Sequence, residues 1–384
     1  MINVKQLNRL ILKTSTLADV YTRYLVTESH SLNAELFCTR DHYTAPPQNA
    51  DYRPVKEGDV WGGDFVYGWF RVRVAVPSKF ACKTVYLYNA NGATENLVFM
   101  NGVPCGMFDV VPGETPSIFR PHKYLKLDVE PGAQFDLHME GYAGHSFPGT
   151  MPRETLRTFG LESGNSDRVY QGISLVTIDA DVERFLDNLY LFNKLYNVPN
   201  ASFLKAELAR QYEELFKVLE YMPSESPYTQ GLIKANKLFE SFFAREEQKE
   251  DTPYIGLIGH SHLDTAWLWT VPETRRKAAR TVSNALRLMK EHKDYTFIMS
   301  SALHLDWLKQ GYPDIFAEVK ERVAAGQFEP NGGVWVECDC NLTGSESMVR
   351  QFLVGQLYLR DNLGYESDTF CYPIHSVIRP RCPR

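Results

Sequence analysis

The chain has 384 residues, of which 44% are hydrophobic and 23% are charged. This length predicts two or three domains, and this composition is typical of a soluble globular protein with a sizeable core. The net charge of −6 gives no electrostatic indication of binding to nucleic acid or to an anionic membrane. No stretch reaches the roughly 18 consecutive apolar residues that a membrane span needs.

The cysteines and the first residues indicate a cytoplasmic protein. The seven cysteines are an odd number without framework spacing, which favours reduced thiols. Residues 1–38 contain no apolar run like that of a signal peptide. Cys338-x-Cys340 suggests a thiolate metal site as an alternative, but no second Cys or His pair has matching spacing.

The first half of the chain changes from a helical to a strand pattern. Apolar positions at helical spacing predict a lead helix over 3–27, in an amino-terminal segment of residues 1–39. Residues 40–178 contain short alternating runs broken by Gly, Pro and Asn, and the Asn101-Gly102 pair between two apolar runs is a strong hairpin signal. This spacing of strands predicts a β-sandwich over 40–178.

A helical connector follows over residues 179–252. The sequence predicts three helices between 180 and 248, and the charged run 245–251 before Pro253 marks a domain boundary. The oligomeric state stays open, although this helical segment offers a surface for assembly into a homo-oligomer.

Strands and helices alternate from residue 253 onward. The pattern predicts strands over 254–259, 295–301 and 332–339, and helices over 273–292, 303–325 and 345–364, the last with a Gly stop. Such alternation implies parallel strands covered by helices, in which active sites lie at the carboxyl ends of the strands.

Metal-binding side chains collect at that end of the predicted sheet. His260, His262 and Asp264 follow the first strand, and Asp339 ends the third. Imidazole nitrogen and carboxylate oxygen are ordinary zinc ligands, so this pattern predicts a catalytic metal site. Spacing alone does not say which of the two histidines binds the metal. Alternation also places Glu337 on the same face as Asp339, where we expect it to hold a neighbouring Arg or Lys.

Three segments resemble glycoside hydrolase family 38, the α-mannosidases. They are GHSHLDTAWLWTVPETRRKAARTVSNAL, FEPNGGVWVECDCN followed by SESMVRQFLVGQ, and the stretch from WGGDFVYGWFRVRVAVP to LVFMNGVPCGMFD. The resemblance covers about residues 50–372. The third segment resembles the β-sandwich that precedes the catalytic domain in the bacterial and cytosolic branch of the family. The resemblance implies a multidomain fold: a β-sandwich, then a helical segment, and then the first part of a distorted α/β (β/α) barrel. This partial barrel would comprise residues 253–384.

The resemblance also implies a role for individual residues. His262 and Asp264 match zinc ligands of the family, and Asp339 matches the residue that is both zinc ligand and catalytic nucleophile. Trp267 matches the aromatic residue that packs against the mannose ring, whereas His260 is not a ligand in the family. The implied cofactor is Zn²⁺, and the implied substrates are α-mannoside oligosaccharides, hydrolysed with retention of configuration.

The family pattern has two further parts that this chain lacks. A fourth ligand, His, and the general acid, Asp, lie beyond residue 384 in the family. The family continues approximately as PDTFGYSAQVPQ, and deletion of one base from suitable codons for that segment gives PIHSVIRPRCP, which is residues 373–383 here. We therefore expect a frameshift, with 373–384 an out-of-frame tail. The gene just downstream, translated in the other frame, tests this.

Two other functions remain open at this stage. A metal-dependent hydrolase of the amidohydrolase type also carries His-x-His after its first barrel strand, and there both His260 and His262 would bind metal. A non-catalytic carbohydrate-binding protein would use only residues 40–178.

Overall fold

The computed structural model describes residues 4–109, 124–145, 166–195, 202–219, 230–247, 256–267, 269–340 and 342–370. The predicted tail at 373–384 lies outside these residues. The described elements of the first half are, in chain order, α1 (Val4–Thr22), β1 (Val26–Ser31), β2 (Ala34–Thr39), β3 (Arg53–Val55), β4 (Val60–Gly62), β5 (Tyr67–Ala75), β6 (Val85–Asn89), β7 (Glu95–Met100), β8 (Val103–Asp109), β9 (Tyr124–Leu127), β10 (Gln134–Tyr142), β11 (Asp167–Val169) and β12 (Ile173–Ile178).

The second half begins with three helices and continues with alternating strands and helices. Its described elements are α2 (Ala180–Leu195), α3 (Ser202–Val218), α4 (Gln230–Glu247), β13 (Gly259–His260), α5 (Val271–Glu291), β14 (Phe297–Ile298), α6 (Ala302–Gly311), α7 (Pro313–Ala324), β15 (Phe328–Glu329) and α8 (Ser345–Leu363). No helix within the described ranges is both long enough and apolar enough to cross a membrane.

Two antiparallel sheets share one apolar core. The strand order is β1-β12-β6-β9 in one sheet and β3-β2-β5-β10-β7-β8 in the other. Phe70 and Val72 of β5 and Leu175 of β12 lie in the same buried cluster, so the two sheets face each other as expected of a β-sandwich. The predicted hairpin is confirmed: β7 and β8 pair on either side of Asn101 and Gly102, whose φ angles of 50° and 85° suit a tight primed turn.

The amino-terminal segment is only partly helical. Helix α1 ends at Thr22, whereas the sequence predicted helix to residue 27. Strand β1 then pairs with β12, and β2 pairs with β5, so residues 26–39 form strands of the two sheets instead of continuing a helical lead. The alternation in these two strands is weak because most of their side chains are at least partly exposed.

The three predicted connector helices are confirmed as α2, α3 and α4. Together with α1 they enclose one core, to which Leu17, Phe185, Tyr212 and Phe239 contribute. The lead helix therefore packs in this helical cluster although it is remote in sequence. The domain boundaries themselves stay a prediction.

The carboxyl-terminal described part contains a small parallel sheet. Strand β14 pairs in parallel with β13 on one side and β15 on the other. Helices α5 and α8 confirm the helices predicted over 273–292 and 345–364. Gly364 caps the carboxyl end of α8. The predicted helix 303–325 is two helices, because Pro313 starts α7 and cannot continue α6. The barrel stays a prediction.

The predicted strand over 332–339 is wrong. The short strand β15 ends at Glu329, before this stretch, and within the stretch Val334 forms a single parallel bridge with Ser301. Gly332 and Gly333 have φ angles of 130° and 65°, which interrupt the extended backbone. A Cβ atom on Gly332 would lie 2.3 Å from the carbonyl oxygen of Ser300, so the close approach of the two segments requires glycine there.

A buried network of charges joins helix α5 to the six-stranded sheet. Arg276 Nε donates to Glu140 Oε1 at 2.8 Å, and Arg280 Nε donates to Glu95 Oε2 at 2.7 Å. Arg280 also pairs with Glu273. All of these side chains except Glu95 are at most 4% exposed. The outer face of the sheet is therefore covered by the helix that follows the predicted metal-binding loop.

Glu95 gives this network a pH dependence. Burial alone would raise the pKa of Glu95, but the charges of Arg280 and Lys277 outweigh it and lower the pKa to about 2. A carboxyl with a lowered pKa stabilises the folded state above its ordinary value of 4.5, and this contribution is lost as the pH falls towards 2.

We therefore predict that Glu95→Gln lowers the free energy of unfolding on the order of 3 kcal/mol at neutral pH, because a neutral amide cannot pair with both cations. Urea unfolding between pH 7 and pH 2 should show this difference shrinking below pH 4.5. The exposed Glu346, which pairs with Arg350, provides the control Glu346→Gln with almost no effect. A difference for Glu95→Gln that does not change with pH would contradict the assignment.

Candidate metal-binding and catalytic site

The loop after β13 carries two of the predicted metal ligands. His262 Nε2 lies 3.4 Å from Asp264 Oδ1, and His262 Nδ1 lies 2.9 Å from Glu337 Oε2. The imidazole is thus set between two carboxylates, one from its own loop and one from the segment after β15. The His262 side chain is 46% exposed, so solvent and ligands reach this pair.

Glu337 has a different partner from the one predicted. Its Oε2 faces His262, and its Oε1 accepts a hydrogen bond from the hydroxyl of Ser300, instead of either oxygen holding an Arg or Lys. The reason is tertiary: the segment after Gly332 lies against the end of β14, where Ser300 and Ser301 are buried.

His260 points to another part of the sheet. Its Nδ1 lies 3.3 Å from the carbonyl oxygen of Ile298, on the neighbouring strand. The side chain is exposed. The two histidines therefore have different surroundings. Within the part of the chain that the structure describes, His262 lies against two carboxylates, whereas His260 lies against a backbone carbonyl.

Asp339 and Trp267, the other two predicted site residues, also lie outside helices and strands. The carbonyl oxygen of Asp339 accepts hydrogen bonds from the backbone of Thr343 at 2.9 Å and of Leu342 at 3.3 Å, in a turn before α8. The Trp267 side chain is 57% exposed. Among the residues that the structure describes, no three His, Cys, Asp or Glu side chains are grouped to hold a metal ion, so Asp339 is not brought together with His262 and Asp264.

Hydrogen bonds to two helices hold the loop that carries Asp264. The Thr274 hydroxyl in α5 donates to the carbonyl oxygen of Thr265 at 2.5 Å and accepts from Trp269 Nε1 at 3.1 Å. The Thr265 hydroxyl lies 3.3 Å from His304 Nε2 in α6. Burial lowers the pKa of His304 to about 4, so this ring is neutral at physiological pH. The loop position therefore depends on α5 and α6.

A cavity of about 550 Å³ opens beside the loop. His260, His262 and Trp269 line one side of it, and Glu95 and Asp109 of the sandwich line the other. A molecule bound here would contact both the parallel sheet and the β-sandwich.

Sequence reasoning missed several residues that contact the loop. The sequence had singled out Glu337, but it predicted the wrong partner, because the alternation that placed Glu337 beside Asp339 belongs to a strand that does not form. Ser300, Thr274 and His304 are ordinary polar residues of a strand end and of helices, and their sequence positions carry no signal for a contact with this loop.

Residues 253–374 match the family model described as the glycosyl hydrolases family 38 N-terminal domain. The chain is similar to Alpha-mannosidase G of Dictyostelium discoideum, with 28% identity over 84% of this chain and 29% of that protein. It is also similar to human Alpha-mannosidase 2C1, with 29% identity over 84% of this chain and 30% of that protein. The resemblance to family 38 is therefore confirmed.

The extent of these matches differs. The Saccharomyces cerevisiae Alpha-mannosidase is 36% identical over 38% of this chain and 13% of its own length. A solved β-glucuronidase from Ruminococcus gnavus has only 10% identity and a TM-score of 0.25, over 41% of this chain and 30% of that chain. The chain spans about 30% of the length of the two mannosidases that match it over most of its length.

We predict that Thr274→Val lowers the free energy of unfolding by about 1–3 kcal/mol, because the buried Thr274 hydroxyl is the hydrogen-bond partner of the half-buried Trp269 indole N–H and of the Thr265 carbonyl. Thr281→Val on the same helix, where the side chain is half-buried, is the matched control and should change it by less than about 0.5 kcal/mol. Equal urea midpoints for the two variants would show that the hydroxyl does not hold the loop.

Proposed function

We propose that this chain is the amino-terminal part of a zinc-dependent, retaining α-mannosidase of glycoside hydrolase family 38, which hydrolyses terminal α-mannosides of oligosaccharides. The observation that carries the proposal is the pair formed by His262 and Asp264 at the carboxyl end of β13, within the segment that matches the family 38 N-terminal domain. The family and the chemistry of this pair support the same reaction class.

The donor atoms present fit a zinc ion. Two ligands at about 2.0–2.1 Å from one tetrahedral zinc are separated by about 3.3 Å. His262 Nε2 and Asp264 Oδ1 are 3.4 Å apart, so a single ion between them would reach both. We assign Asp339 as the third ligand on the resemblance alone, and its carboxylate would have to move towards the pair when the metal binds.

When bound, the zinc ion would orient two adjacent hydroxyls of the mannose and keep the neighbouring carboxylate ionised. The chain's own residues would carry the bond-forming step. The Asp339 carboxylate attacks the anomeric carbon, the bond to the leaving sugar breaks, and that sugar's oxygen takes up a proton from the general acid. Water then hydrolyses the glycosyl ester on Asp339, so the configuration is retained. The exposed Trp267 indole would pack against the sugar ring.

We further propose that this chain alone is inactive. The resemblance assigns no residue of this chain as the family's general acid. A retaining glycosidase needs two carboxyl groups, a nucleophile and a general acid. The cysteine usage supports a cytoplasmic location for the protein.

Hydrolysis of a chromogenic α-mannoside in the presence of zinc tests this function. We expect no release of the chromogen by this chain, and release by a version extended in the restored frame. Asp339→Asn in the extended version should abolish the release, because it removes the nucleophile. An extended version that cleaves only other glycosides would contradict the assignment to mannosides.

Zinc binding distinguishes the mannosidase from an amidohydrolase-type site. We predict that His262→Ala abolishes stoichiometric zinc binding to this chain, because it removes a ligand, and that His260→Ala leaves it unchanged. Equilibrium dialysis with zinc measures both, and the exposed His260, beside Ile298, is the matched control. Loss of zinc in both variants would favour the amidohydrolase type.

A further inference from the structure

We infer that Glu337 is the positioning residue that orients His262 for metal binding. This inference rests on the proposed function, since it concerns the same metal site. The resemblance assigns no role to Glu337, and the sequence alone suggested only an ion pair with Arg or Lys. The contacts of its two carboxylate oxygens point to this different role.

The two nitrogens of the His262 imidazole have different partners and therefore different roles. Glu337 Oε2 lies 2.9 Å from His262 Nδ1, and Asp264 Oδ1 lies 3.4 Å from His262 Nε2. A carboxylate against Nδ1 favours the tautomer with its proton on that nitrogen, which leaves the lone pair of Nε2 for a metal ion. The same hydrogen bond fixes the rotation of the ring, so that Nε2 faces Asp264.

Glu337 is itself held more firmly than the ligand it contacts. Its side chain is 10% exposed, whereas that of His262 is 46% exposed. The Ser300 hydroxyl donates to Oε1, and the Glu337 backbone N–H lies 3.4 Å from Ser301 Oγ. Ser300 and Ser301 are 6% and 1% exposed, at the end of β14. The carboxylate is thus fixed from the sheet before any metal binds.

These contacts also argue against Glu337 as the general acid. One carboxylate oxygen accepts from Ser300 and the other faces His262. A proton donor to a leaving group needs an oxygen directed at substrate, and both oxygens of Glu337 are engaged with protein groups. Glu337 therefore acts through His262 and not on the sugar.

Removal of a carboxylate that orients a metal-binding histidine typically weakens metal binding by about 10- to 100-fold. We therefore expect Glu337→Ala to weaken zinc binding by about that factor. Glu337→Gln should weaken it less, because the amide oxygen still accepts from Nδ1–H. Ser300→Ala should weaken it slightly, because it frees the carboxylate to move, and the exposed Glu346→Gln should have no effect.

The experiment is a zinc titration of the metal-free full chain against a fluorescent chelator, for wild type and these variants, with His262→Ala as the reference for loss of the site. Long-range ¹H–¹⁵N spectra of the imidazoles, with the His262 signals assigned from His262→Ala, report the tautomer. We expect the Nδ1–H form in wild type and Glu337→Gln, and loss of that preference in Glu337→Ala. A purely structural role of Glu337 would lower the melting temperature without changing the tautomer.

The outcomes separate the two claims. If wild type binds zinc, His262→Ala does not, and Glu337→Ala binds as tightly as wild type with an unchanged tautomer, the inference is overturned and the proposed function stands. If wild type binds no zinc, or His262→Ala keeps it, the metal site of the proposed function fails and the inference fails with it. If Glu337→Ala does not fold, the zinc affinity and the His262 tautomer of Glu337→Gln and Ser300→Ala test the inference instead.

Discussion

Everything near the site depends on how helix α5 is held against the β-sandwich. Arg280 lies between Glu95 of β7 and Glu273 of its own helix, and Arg276 pairs with Glu140 of β10. Charges this deeply buried are tolerated only when they are paired, so a shift of the helix by even one turn would leave several of them without a partner. We regard the network as a constraint on position more than as a source of net stability, because desolvation offsets much of the attraction.

This constraint reaches the loop that carries the proposed metal ligands through short connections. Helix α5 begins at Val271, and the loop that carries Asp264 is hydrogen-bonded to it through Thr274. The residues that follow β14 in turn hold Glu337, which contacts His262. The loop is therefore positioned by the end of a strand and by a helix, each of which is held by other contacts, as the rigid placement of the proposed metal ligands would require.

Local signals in the sequence predicted the parts of this fold that have local causes. Helix α5 and the turn at Asn101 follow from periodicity and turn chemistry, both of which act over a few residues. The strand predicted over 332–339 failed because its apolar run outweighed two adjacent glycines at its start. The partner of Glu337 and the pairing of Arg276 with Glu140 could not be predicted, because they join segments that only the fold brings together. His262 and Asp264 were predicted as ligands because they directly follow one predicted strand, whereas Asp339 was predicted at the end of a strand that the structure does not form.

The central claim is that a zinc ion binds between imidazole and carboxylate groups after β13. The competing ligands are Cys338 and Cys340, which lie beside Asp339, although the Cys338 thiol sits 3.4 Å from the sulfur of Met348 in a buried place. X-ray absorption at the zinc K edge of the zinc-loaded chain separates these possibilities most directly. We predict a shell of only nitrogen and oxygen at about 2.0–2.1 Å, with the outer scattering of one imidazole. A sulfur shell at about 2.3 Å would contradict the account.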